Sequence, residues 1–194
     1  MADRINQIIR HNLRQVRSKV SLAFQIQASR QVCQQIKRLK EYCYAKKIAL
    51  YHAINGEISL DSVWNSAPYQ GKFCFFPSLM EDKSLCFLPA TPATASANNH
   101  FGIPEPDVCK SKSIPINELD IIFMPLVAFD KKGNRLGMGA GYYDKTLAGV
   151  VKPLLIGVAY EFQMLDSIKT HALDVPLDVI ITEKSIYDPK QCLT

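Results

Sequence analysis

Hydrophobic positions at the N-terminal end follow helical spacing. One row of apolar residues recurs every three or four positions and predicts a helix over residues 3–20. Its members are Ile5, Ile8, Ile9, Leu13 and Val16. Ser21 is a suitable N-cap for a second helix. The residues expected on the inward face of that helix and its continuation are Leu22, Ile26, Cys33, Ile36 and Cys43.

After residue 47 the pattern changes to short apolar runs separated by turn residues and helical segments. The runs predicted as strands are Ile48–Ala53, Phe73–Phe76, Leu85–Leu88, Leu119–Phe129, Leu154–Ala159 and Val179–Thr182. Pro77 is expected to end the second of these runs. Short helices are predicted at Leu60–Ala67 and Tyr142–Gly149. Strands that alternate with helices predict an α/β fold with a mainly parallel sheet.

The segment between residues 89 and 115 has a different texture. It holds five of the eleven prolines and shows no helical period. A loop this long inside a compact domain is usually functional or disordered. The stretch Asn99–Pro106 is too rich in apolar and rigid residues to resemble a disordered segment. We therefore expect an ordered, extended segment that lines a site.

Charge is distributed unevenly along the chain, whose formal net charge is +5. Residues 1–47 carry eleven Lys or Arg and two acidic residues, whereas residues 48–194 carry twelve and sixteen. The predicted N-terminal helices therefore hold the whole basic excess, with Arg10, Arg14 and Arg17 on or beside one face. Such a face is either solvated or forms a site for an anion, phosphate or nucleic acid.

The six cysteines form no Cys-x-x-Cys pair and have no neighbouring histidine at zinc spacing. The first ten residues are polar, and no apolar signal-peptide core follows them. The apolar runs are much shorter than the roughly 20 residues that a membrane span needs. We therefore expect a cytoplasmic protein with reduced thiols and no membrane association.

The stretch with the richest chemistry is Gly133–Asp144. Its alternating glycines at 137, 139 and 141 allow the backbone to approach a ligand closely. Arg135 offers a planar fork for phosphate oxygens. Asp144 offers the hard oxygen ligand that Mg²⁺ prefers. The spacing matches neither a Walker A loop nor a dinucleotide fingerprint, and a flexible surface turn is the alternative interpretation.

Several stretches resemble, in order along the chain, the motifs of the 5-formyltetrahydrofolate cyclo-ligase family, also called 5,10-methenyltetrahydrofolate synthetases. Asn134–Asp144 resembles the family's Arg-Leu-Gly-x-Gly-x-Gly-Tyr-Tyr-Asp signature. Arg10–Arg14 resembles its Lys-x-x-Leu-Arg pattern, with Arg10 at the first basic position. The other matching stretches are Gly56–Ile58, Asn99–Pro106, Asp120–Pro125, and Asp174–Asp178 followed by Thr182 and Glu183.

The resemblance runs from about Arg10 to Glu183, and it implies both a fold and a reaction. The implied fold is a three-layer α/β/α domain like those of ribose-phosphate isomerases and CoA-transferases. It would span residues 1–194, with basic helices at 1–46 packed on the α/β core. The implied reaction is the ATP- and Mg²⁺-dependent cyclisation of 5-formyltetrahydrofolate to 5,10-methenyltetrahydrofolate, through a phosphorylated formyl intermediate and with release of ADP and phosphate.

The resemblance also implies a role for each matching residue. Those implied to bind ATP are Arg10, His11, Asn12, Leu13, Arg14, Arg135, Leu136, Gly137, Met138, Gly139, Ala140, Gly141, Tyr142 and Tyr143. Those implied to contact the folate are Ile54, Glu57, Phe101, Gly137, Met138, Gly139, Ala140 and Gly141. Arg135, Tyr143 and Asp144 are the expected catalytic residues, and Asp144 and Asp178 the expected Mg²⁺ ligands.

Simpler structural roles are open for several of these residues. Glu57 and Asp178 are alternatively a turn acid and a helix cap, and Phe101 an ordinary core residue. Tyr142 and Tyr143 are alternatively packing residues at a helix start. Tyr51, His52, His100 and His171 have no partner pattern, and we expect them to be structural.

Two positions depart from the commonest family pattern. Met138 stands where relatives often carry Arg, His or an aromatic residue, and Ala140 stands where some carry Lys. Lys131, Lys132 and Lys145 are candidates to compensate. The alternatives are a folate-storage protein with weak turnover, a sugar-phosphate isomerase and a nucleic-acid-binding surface. We expect a monomer that acts on small molecules and binds no nucleic acid.

Overall fold

The computed structural model describes residues 2–150 and 153–190. Its helices are α1 (Ala2–Ser18), α2 (Leu22–Arg38), α3 (Lys40–Tyr44), α4 (Asp61–Ser66) and α5 (Tyr142–Leu147). The first five strands are β1 (Lys47–Ala49), β2 (Phe73–Leu79), β3 (Leu85–Pro89), β4 (Ser96–Asn98) and β5 (Pro104–Pro106). The others are β6 (Ile121–Pro125), β7 (Ala128–Phe129), β8 (Arg135–Leu136), β9 (Leu154–Val158), β10 (Val179–Ile181) and β11 (Ile186–Tyr187).

Seven strands form the central sheet, in the order β11-β10-β9-β6-β1-β2-β3. The five inner strands are parallel, and the edge strands β3 and β11 are antiparallel to their neighbours. The mainly parallel α/β sheet predicted from the alternation of strands and helices is confirmed. Strand β1 lies between β2 and β6. After β1 the chain adds β2 and β3 on one side of it, and later adds β6, β9, β10 and β11 on the other. Ligands of open parallel sheets bind at such a switch point, beyond the carboxyl ends of the strands.

Both faces of the sheet are covered. In β6, Ile121 and Phe123 contribute to the core cluster beneath α2 and α4, whereas Ile122 and Met124 contribute to the opposite cluster, which includes Leu147 of α5. Successive side chains of a strand point to opposite faces, so a strand buried on both sides is apolar throughout. This double burial explains why the β6 region is the most apolar run of the sequence.

The inward face of α1 differs from the prediction. Ile5, Ile8 and Val16 are about half exposed, whereas Asn6 and Arg17 are buried. Ile9 and Leu13 of the predicted row do pack against the core. The prediction is therefore right only in part, because α1 borders a polar cleft as well as an apolar core.

The second predicted helix has the expected start, because the Ser21 hydroxyl accepts a hydrogen bond from the Phe24 N–H at 3.3 Å. Of its expected inward residues, Cys33 and Ile36 are buried, but Leu22 and Ile26 are exposed. Cys43 is also exposed and lies in α3. The buried side of α2 is completed by the smaller residues Ala28 and Val32.

Three further expectations concern the strands. Strand β2 continues through Pro77 to Leu79, because the proline lies beyond the three residues of β2 that pair with β1. The run Leu119–Phe129 forms two strands, β6 and β7, rather than one. The proline-rich segment is ordered, as predicted, and contains the hairpin of β4 and β5.

The cysteines in the described ranges 2–150 and 153–190 form no disulfide, and Cys192 lies outside those ranges. Among the helices within the same ranges, none is long and apolar enough to span a membrane.

Candidate active site

A cleft of about 660 Å³ opens at the carboxyl ends of β1 and β6. Most of its lining comes from α1, the connection after β1, the β4–β5 hairpin, residues 135–144 around the glycine-rich loop, and residues 169–174. Strands β2, β3 and β6 add Pro77, Leu79, Leu85 and Pro125. The sheet therefore places parts of several resembling motifs, which are far apart in sequence, around one cavity.

The glycine-rich loop is the segment 137–141, which joins β8 to α5. Gly139 has a φ of 102°, a conformation that residues with a side chain rarely adopt. The Arg10 side chain donates a hydrogen bond from Nε to the Gly137 carbonyl oxygen at 2.9 Å. A Cβ at Gly139 would lie 3.6 Å from the same guanidinium group. Helix α1 is therefore tied to this loop, and the surface-turn interpretation does not describe it.

Arg135 and Asp144 form an ion pair at the base of the loop. Nη2 of Arg135 lies 2.7 Å from Oδ1 of Asp144, which also accepts the Val175 N–H at 3.1 Å. Arg135 also donates to the Val175 carbonyl oxygen. Asp144 keeps 28% of its side chain exposed and lines the cleft. The predicted phosphate ligand and the predicted metal ligand are therefore partners in this state.

Glu57 lies on the opposite wall, in a tight turn. The turn closes with a hydrogen bond from the Glu57 N–H to the Ile54 carbonyl oxygen at 3.0 Å, and Asn55 and Gly56 both have positive φ. The Glu57 side chain is only 6% exposed, and Oε2 accepts the Ile54 N–H at 3.1 Å. Burial raises the pKa of Glu57, while the nearby Arg17 guanidinium opposes that rise. The acid thus caps its turn, as one alternative held, and also faces the cleft.

Phe101 is held over the cleft by the hairpin of β4 and β5. It is 54% exposed, which excludes the ordinary-core alternative, and its ring lies edge-on to that of Tyr142 with the centroids 6.1 Å apart. The hairpin is anchored by Glu105, which accepts hydrogen bonds from the Leu79 N–H at 3.0 Å and from Asn99 Nδ2 at 2.8 Å.

Tyr142 and Tyr143 begin α5 and line the cleft. Burial raises the pKa of the Tyr143 phenol, and the negative charge of Glu57 adds to this effect. Tyr51 is fully buried and donates from its hydroxyl to the Ile58 carbonyl oxygen at 2.7 Å. Both phenols therefore stay neutral beside Glu57 at ordinary pH.

Some residues expected in the site are not brought to the cleft. His11 and Asn12 are exposed on α1 but do not line it, and Leu13 packs with Ala128, Leu136 and Ile168. The implied ATP contacts of these three side chains therefore have no geometric support, because none of the three lines the cavity. Leu136, although buried in that cluster, does reach the cleft wall.

Asp178 is also apart from the cleft, at the opposite, amino-terminal edge of the sheet. Its Oδ2 accepts the Leu155 N–H at 3.0 Å, and its Oδ1 lies 3.3 Å from Lys190 Nζ. The structure does not bring Asp178 together with Asp144. Within residues 2–150 and 153–190, no group of three or more Asp, Glu, His or Cys side chains is arranged for a metal ion.

The sequence also missed part of the site. His52, Lys169 and His171 line the cleft, although no motif marks them and the two histidines were expected to be structural. Asp174 also lines it, and although it begins one of the resembling motifs it was not assigned a role. His52 stacks on Phe76 with a centroid distance of 4.3 Å, and burial lowers its pKa. The candidate compensating lysines 131, 132 and 145 do not line the cleft.

Arg17 was predicted only as one of three arginines on a basic face, either solvated or binding an anion, and its burial against Glu57 was not predicted. It is 2% exposed, and its Nη2 lies 3.2 Å from Glu57 Oε1. A usable signal was present, since Asn6, Arg10, Leu13 and Arg17 share one helical face at spacings of three and four. Two of these four residues are arginines, which composition alone would place in solvent.

Comparisons with known proteins agree with this arrangement. The model of the 5-formyltetrahydrofolate cyclo-ligase family matches residues 3–183. The 5-formyltetrahydrofolate cyclo-ligase of Haemophilus influenzae is 42% identical over 180 residues, covering 90% of this chain and 96% of the relative. The mouse enzyme of the same name is 27% identical, covering 91% and 93%.

Two solved structures are similar throughout. The 5,10-methenyltetrahydrofolate synthetase of Aquifex aeolicus has a TM-score of 0.84 and 33% identity, covering 96% of this chain and 93% of that one. The 5,10-methenyltetrahydrofolate synthetase of Mycoplasma pneumoniae has a TM-score of 0.74 and 26% identity, covering 92% and 98%. The motifs, the cleft and the similarity over nearly the whole chain establish that this chain belongs to the 5-formyltetrahydrofolate cyclo-ligase family of enzymes.

Proposed function

We propose that this chain cyclises 5-formyltetrahydrofolate to 5,10-methenyltetrahydrofolate, with ATP as co-substrate, Mg²⁺ as cofactor, and ADP and phosphate as products. One observation carries the proposal. A single cavity of about 660 Å³ joins a glycine-rich loop flanked by Arg10 and Arg135 to a wall with the buried acid Glu57. These two ends suit, respectively, a polyphosphate and the N–H edge of a pterin. The names of the relatives support the same reaction.

The chemistry explains why the reaction needs ATP. The formyl oxygen of the substrate is a poor leaving group. Transfer of the γ-phosphoryl group to this oxygen breaks the bond between that phosphorus and the ADP oxygen, and it forms an activated ester. The N10 amine then attacks the formyl carbon and loses its proton, and the C–O bond breaks to release phosphate. The protein mainly positions the reactants and stabilises their charge.

The folate end of the cleft is assigned to Glu57, Ile54 and Phe101. An ionised carboxylate accepts hydrogen bonds only, so Glu57 complements the N–H donors of an aminopyrimidinone edge. Ile54 lines the same wall, and the exposed ring of Phe101 can pack on a pterin or aminobenzoate ring. The hairpin of β4 and β5 thus covers part of the cleft, and a bound folate would bury the exposed ring of Phe101.

The phosphate end is assigned to Arg10, Arg14 and the glycine-rich loop. Arg10 is already hydrogen-bonded to the loop, so a bound triphosphate would meet both together. Arg14 lines the cleft, and its positive charge opposes the burial-induced rise of the Glu57 pKa. Arg14 is therefore close enough to influence the folate end of the cleft as well as the phosphate end. Arg135 lies at the loop's base and holds Asp144. The Arg135 guanidinium can therefore bind a phosphate only while it remains paired with Asp144.

The donor set at Asp144 fits Mg²⁺. A half-buried carboxylate on the cleft wall supplies a hard oxygen, and Mg²⁺ bound with nucleotides usually takes one or two carboxylates plus phosphate and water oxygens. The ion would neutralise charge on the phosphates during transfer. Asp144 is the one predicted ligand that the cleft supports, and Asp178 is not included.

Met138 and Ala140 leave a second candidate function, folate binding with weak turnover. Both residues lie exposed on the loop, where they provide no cation. Protein incubated with 5-formyltetrahydrofolate and MgATP is expected to develop methenyl absorbance, with one ADP formed per product. Tight folate binding without absorbance at high enzyme concentration would favour storage. Absence of both binding and turnover would contradict the proposal.

The Mg²⁺ assignment is tested with Asp144→Asn and the matched variant Asp178→Asn. We expect Asp144→Asn to lower kcat by roughly 100-fold and raise the Mg²⁺ concentration for half-maximal rate, as expected for loss of a charge-stabilising group. Asp178→Asn should leave both values within about twofold, because its carboxylate lies outside the cleft. A wild-type Mg²⁺ requirement in Asp144→Asn, or a changed one in Asp178→Asn, would overturn the assignment.

A further inference from the structure

We propose that Arg17 is a positioning residue that holds the Glu57 carboxylate ionised and directed into the cleft for folate binding. The inference rests on the proposed role of Glu57 and adds a residue outside the family motifs described above. Arg17 lies in the last turn of α1 and does not itself line the cleft. It therefore acts through Glu57 rather than on the substrate.

The contacts of Arg17 fix its guanidinium in one place. Nε donates to the Asn55 carbonyl oxygen at 3.1 Å, and Nη1 donates to the Leu126 carbonyl oxygen at 3.2 Å. Asn55 follows β1 and Leu126 follows β6, so Arg17 joins the two connections that diverge at the switch point. A Cβ at Gly56 would lie 3.2 Å from the Arg17 carbonyl oxygen, so the turn and α1 are closely apposed. The remaining nitrogen, Nη2, faces Glu57.

The contact with Glu57 is electrostatic rather than a paired fork. Nη2 lies 3.2 Å from Glu57 Oε1, but it makes no well-directed hydrogen bond within the described part of the chain. A buried ion pair contributes little to stability compared with apolar residues of similar size, because desolvation offsets the attraction. The ion pair with Glu57 is therefore weak evidence for a purely stabilising role of Arg17. Its position behind a cleft-lining acid supports a role in the site beside its two backbone contacts.

The surroundings of Glu57 explain what the arginine supplies. Arg17 contacts it from α1. The other groups that interact electrostatically with Glu57 are Arg14 on α1, Tyr51 after β1, Tyr143 on α5 and Tyr160 just after β9. The three phenols have raised pKa values and carry no charge near neutral pH. Burial raises the pKa of Glu57, and Arg17 is the largest influence against that rise. Loss of Arg17 would therefore favour the protonated acid, which accepts fewer hydrogen bonds.

The test uses the full-length chain with Arg17→Met, Arg17→Lys, Glu57→Gln and the double variant Arg17→Met with Glu57→Gln. The control Arg30→Met changes an exposed arginine on α2. The folate KM, the ATP KM and kcat are measured as a function of pH over the range in which every variant stays folded, because loss of Arg17 should raise the pKa of Glu57 further. Unfolding temperatures are recorded for every variant.

We expect Arg17→Met to raise the folate KM roughly tenfold at neutral pH, as for loss of a charged hydrogen-bonding group, with the ATP KM nearly unchanged. The ratio of its folate KM to the wild-type value should fall as pH rises and Glu57 ionises. Arg17→Lys should restore most of the affinity because it keeps the charge. A ratio that is constant with pH, or an equal rise in both KM values, would overturn the proposal.

The double variant covers the case in which Arg17→Met does not fold, because it removes both buried charges together. If Arg17 acts through Glu57, the double variant and Glu57→Gln should have the same folate KM within about twofold. A further rise of about fivefold or more would show an independent role and overturn the inference. A normal folate KM in Glu57→Gln would instead contradict the proposed binding role of Glu57 itself.

Discussion

At the residue scale, the cleft depends on side chains that fix the backbone as much as on those that face the ligand. Arg10 illustrates this, because its Nε is committed to the Gly137 carbonyl oxygen. Asp144 likewise fixes the backbone at Val175, because its carboxylate accepts the Val175 N–H. The chemical groups of the site are therefore held in place before any ligand arrives, which is what catalysis by positioning requires.

The glycine at position 139 gives a residue-scale prediction. Gly139 has a φ of 102° and lies against Arg10, whereas Gly149 has a φ of 71° and open space around it. An alanine at either position should cost about 1 kcal/mol of stability, because positive φ disfavours a side chain. Only Gly139→Ala should also raise the ATP KM, by roughly tenfold, since even a displacement of about 1 Å in a positioned group can cost about 100-fold.

Thermal unfolding and steady-state kinetics of the two variants separate strain from function. Gly149→Ala, the control, should retain the wild-type ATP KM. Equal ATP KM values in the two variants would show that the loop conformation at Gly139 does not serve phosphate binding.

The sequence predicted the cleft residues that belong to recognisable motifs, such as Glu57, Arg10 and the glycines of the loop. It grouped Arg17 with Arg10 and Arg14 on a basic face but did not predict its burial, because a charged residue in a basic helix is expected in solvent. The residue is buried only because Glu57, Asn55 and Leu126, distant in sequence, gather around it. Asp178 shows the opposite error, since its motif does not reveal which edge of the sheet it reaches.

At the scale of elements, the hairpin of β4 and β5 controls one wall of the cleft. Glu105 of β5 ties the hairpin to β2 through the Leu79 N–H and holds Asn99 at the hairpin's tip. Asn99 in turn accepts N–H bonds from Phe101 and Ile103. The position of the Phe101 ring therefore depends on one carboxylate.

Glu105→Ala should release the hairpin and raise the folate KM by roughly tenfold, since it removes several charge-assisted hydrogen bonds. The ATP KM should change little. The matched control is Glu118→Ala, which breaks the exposed ion pair between Glu118 and Lys47. Surface pairs of this kind contribute little to stability, so the control should behave as the wild type.

Steady-state kinetics and limited proteolysis measure the two effects of Glu105→Ala. Faster cleavage within residues 99–106 should accompany the higher folate KM. A wild-type folate KM in a variant with a loosened hairpin would mean that Phe101 does not help to bind the folate.

Element boundaries were predictable where one physical signal dominates, and less so where several compete. The cap at Ser21 and the double-sided burial of β6 follow directly from the sequence. The course of β2 through Pro77 does not, because it depends on where the pairing with β1 stops. The inward face of α1 was predicted only in part for a related reason, since one side of that helix meets a polar cleft.

At the scale of the whole molecule, the sheet order determines where chemistry is possible. The strands β1 and β6 are neighbours, and their following connections separate, which opens the cleft. The position of α1 beside this cleft explains part of the basic excess at the N-terminal end of the chain. Arg10, Arg14 and Arg17 belong to this region, whereas Arg4 and Lys19 of the N-terminal segment are exposed. Part of the basic excess thus serves the site, and the rest lies in solvent.

The fate of the formyl oxygen tests the proposed reaction most directly. 5-Formyltetrahydrofolate labelled with oxygen-18 in the formyl group is incubated with the enzyme and MgATP, and the released phosphate is analysed by mass spectrometry. If the γ-phosphoryl group is transferred to the formyl oxygen, each phosphate should carry one labelled oxygen. An incubation without ATP controls for exchange with water. Methenyl product formed with unlabelled phosphate, the label appearing in water, would contradict the mechanism.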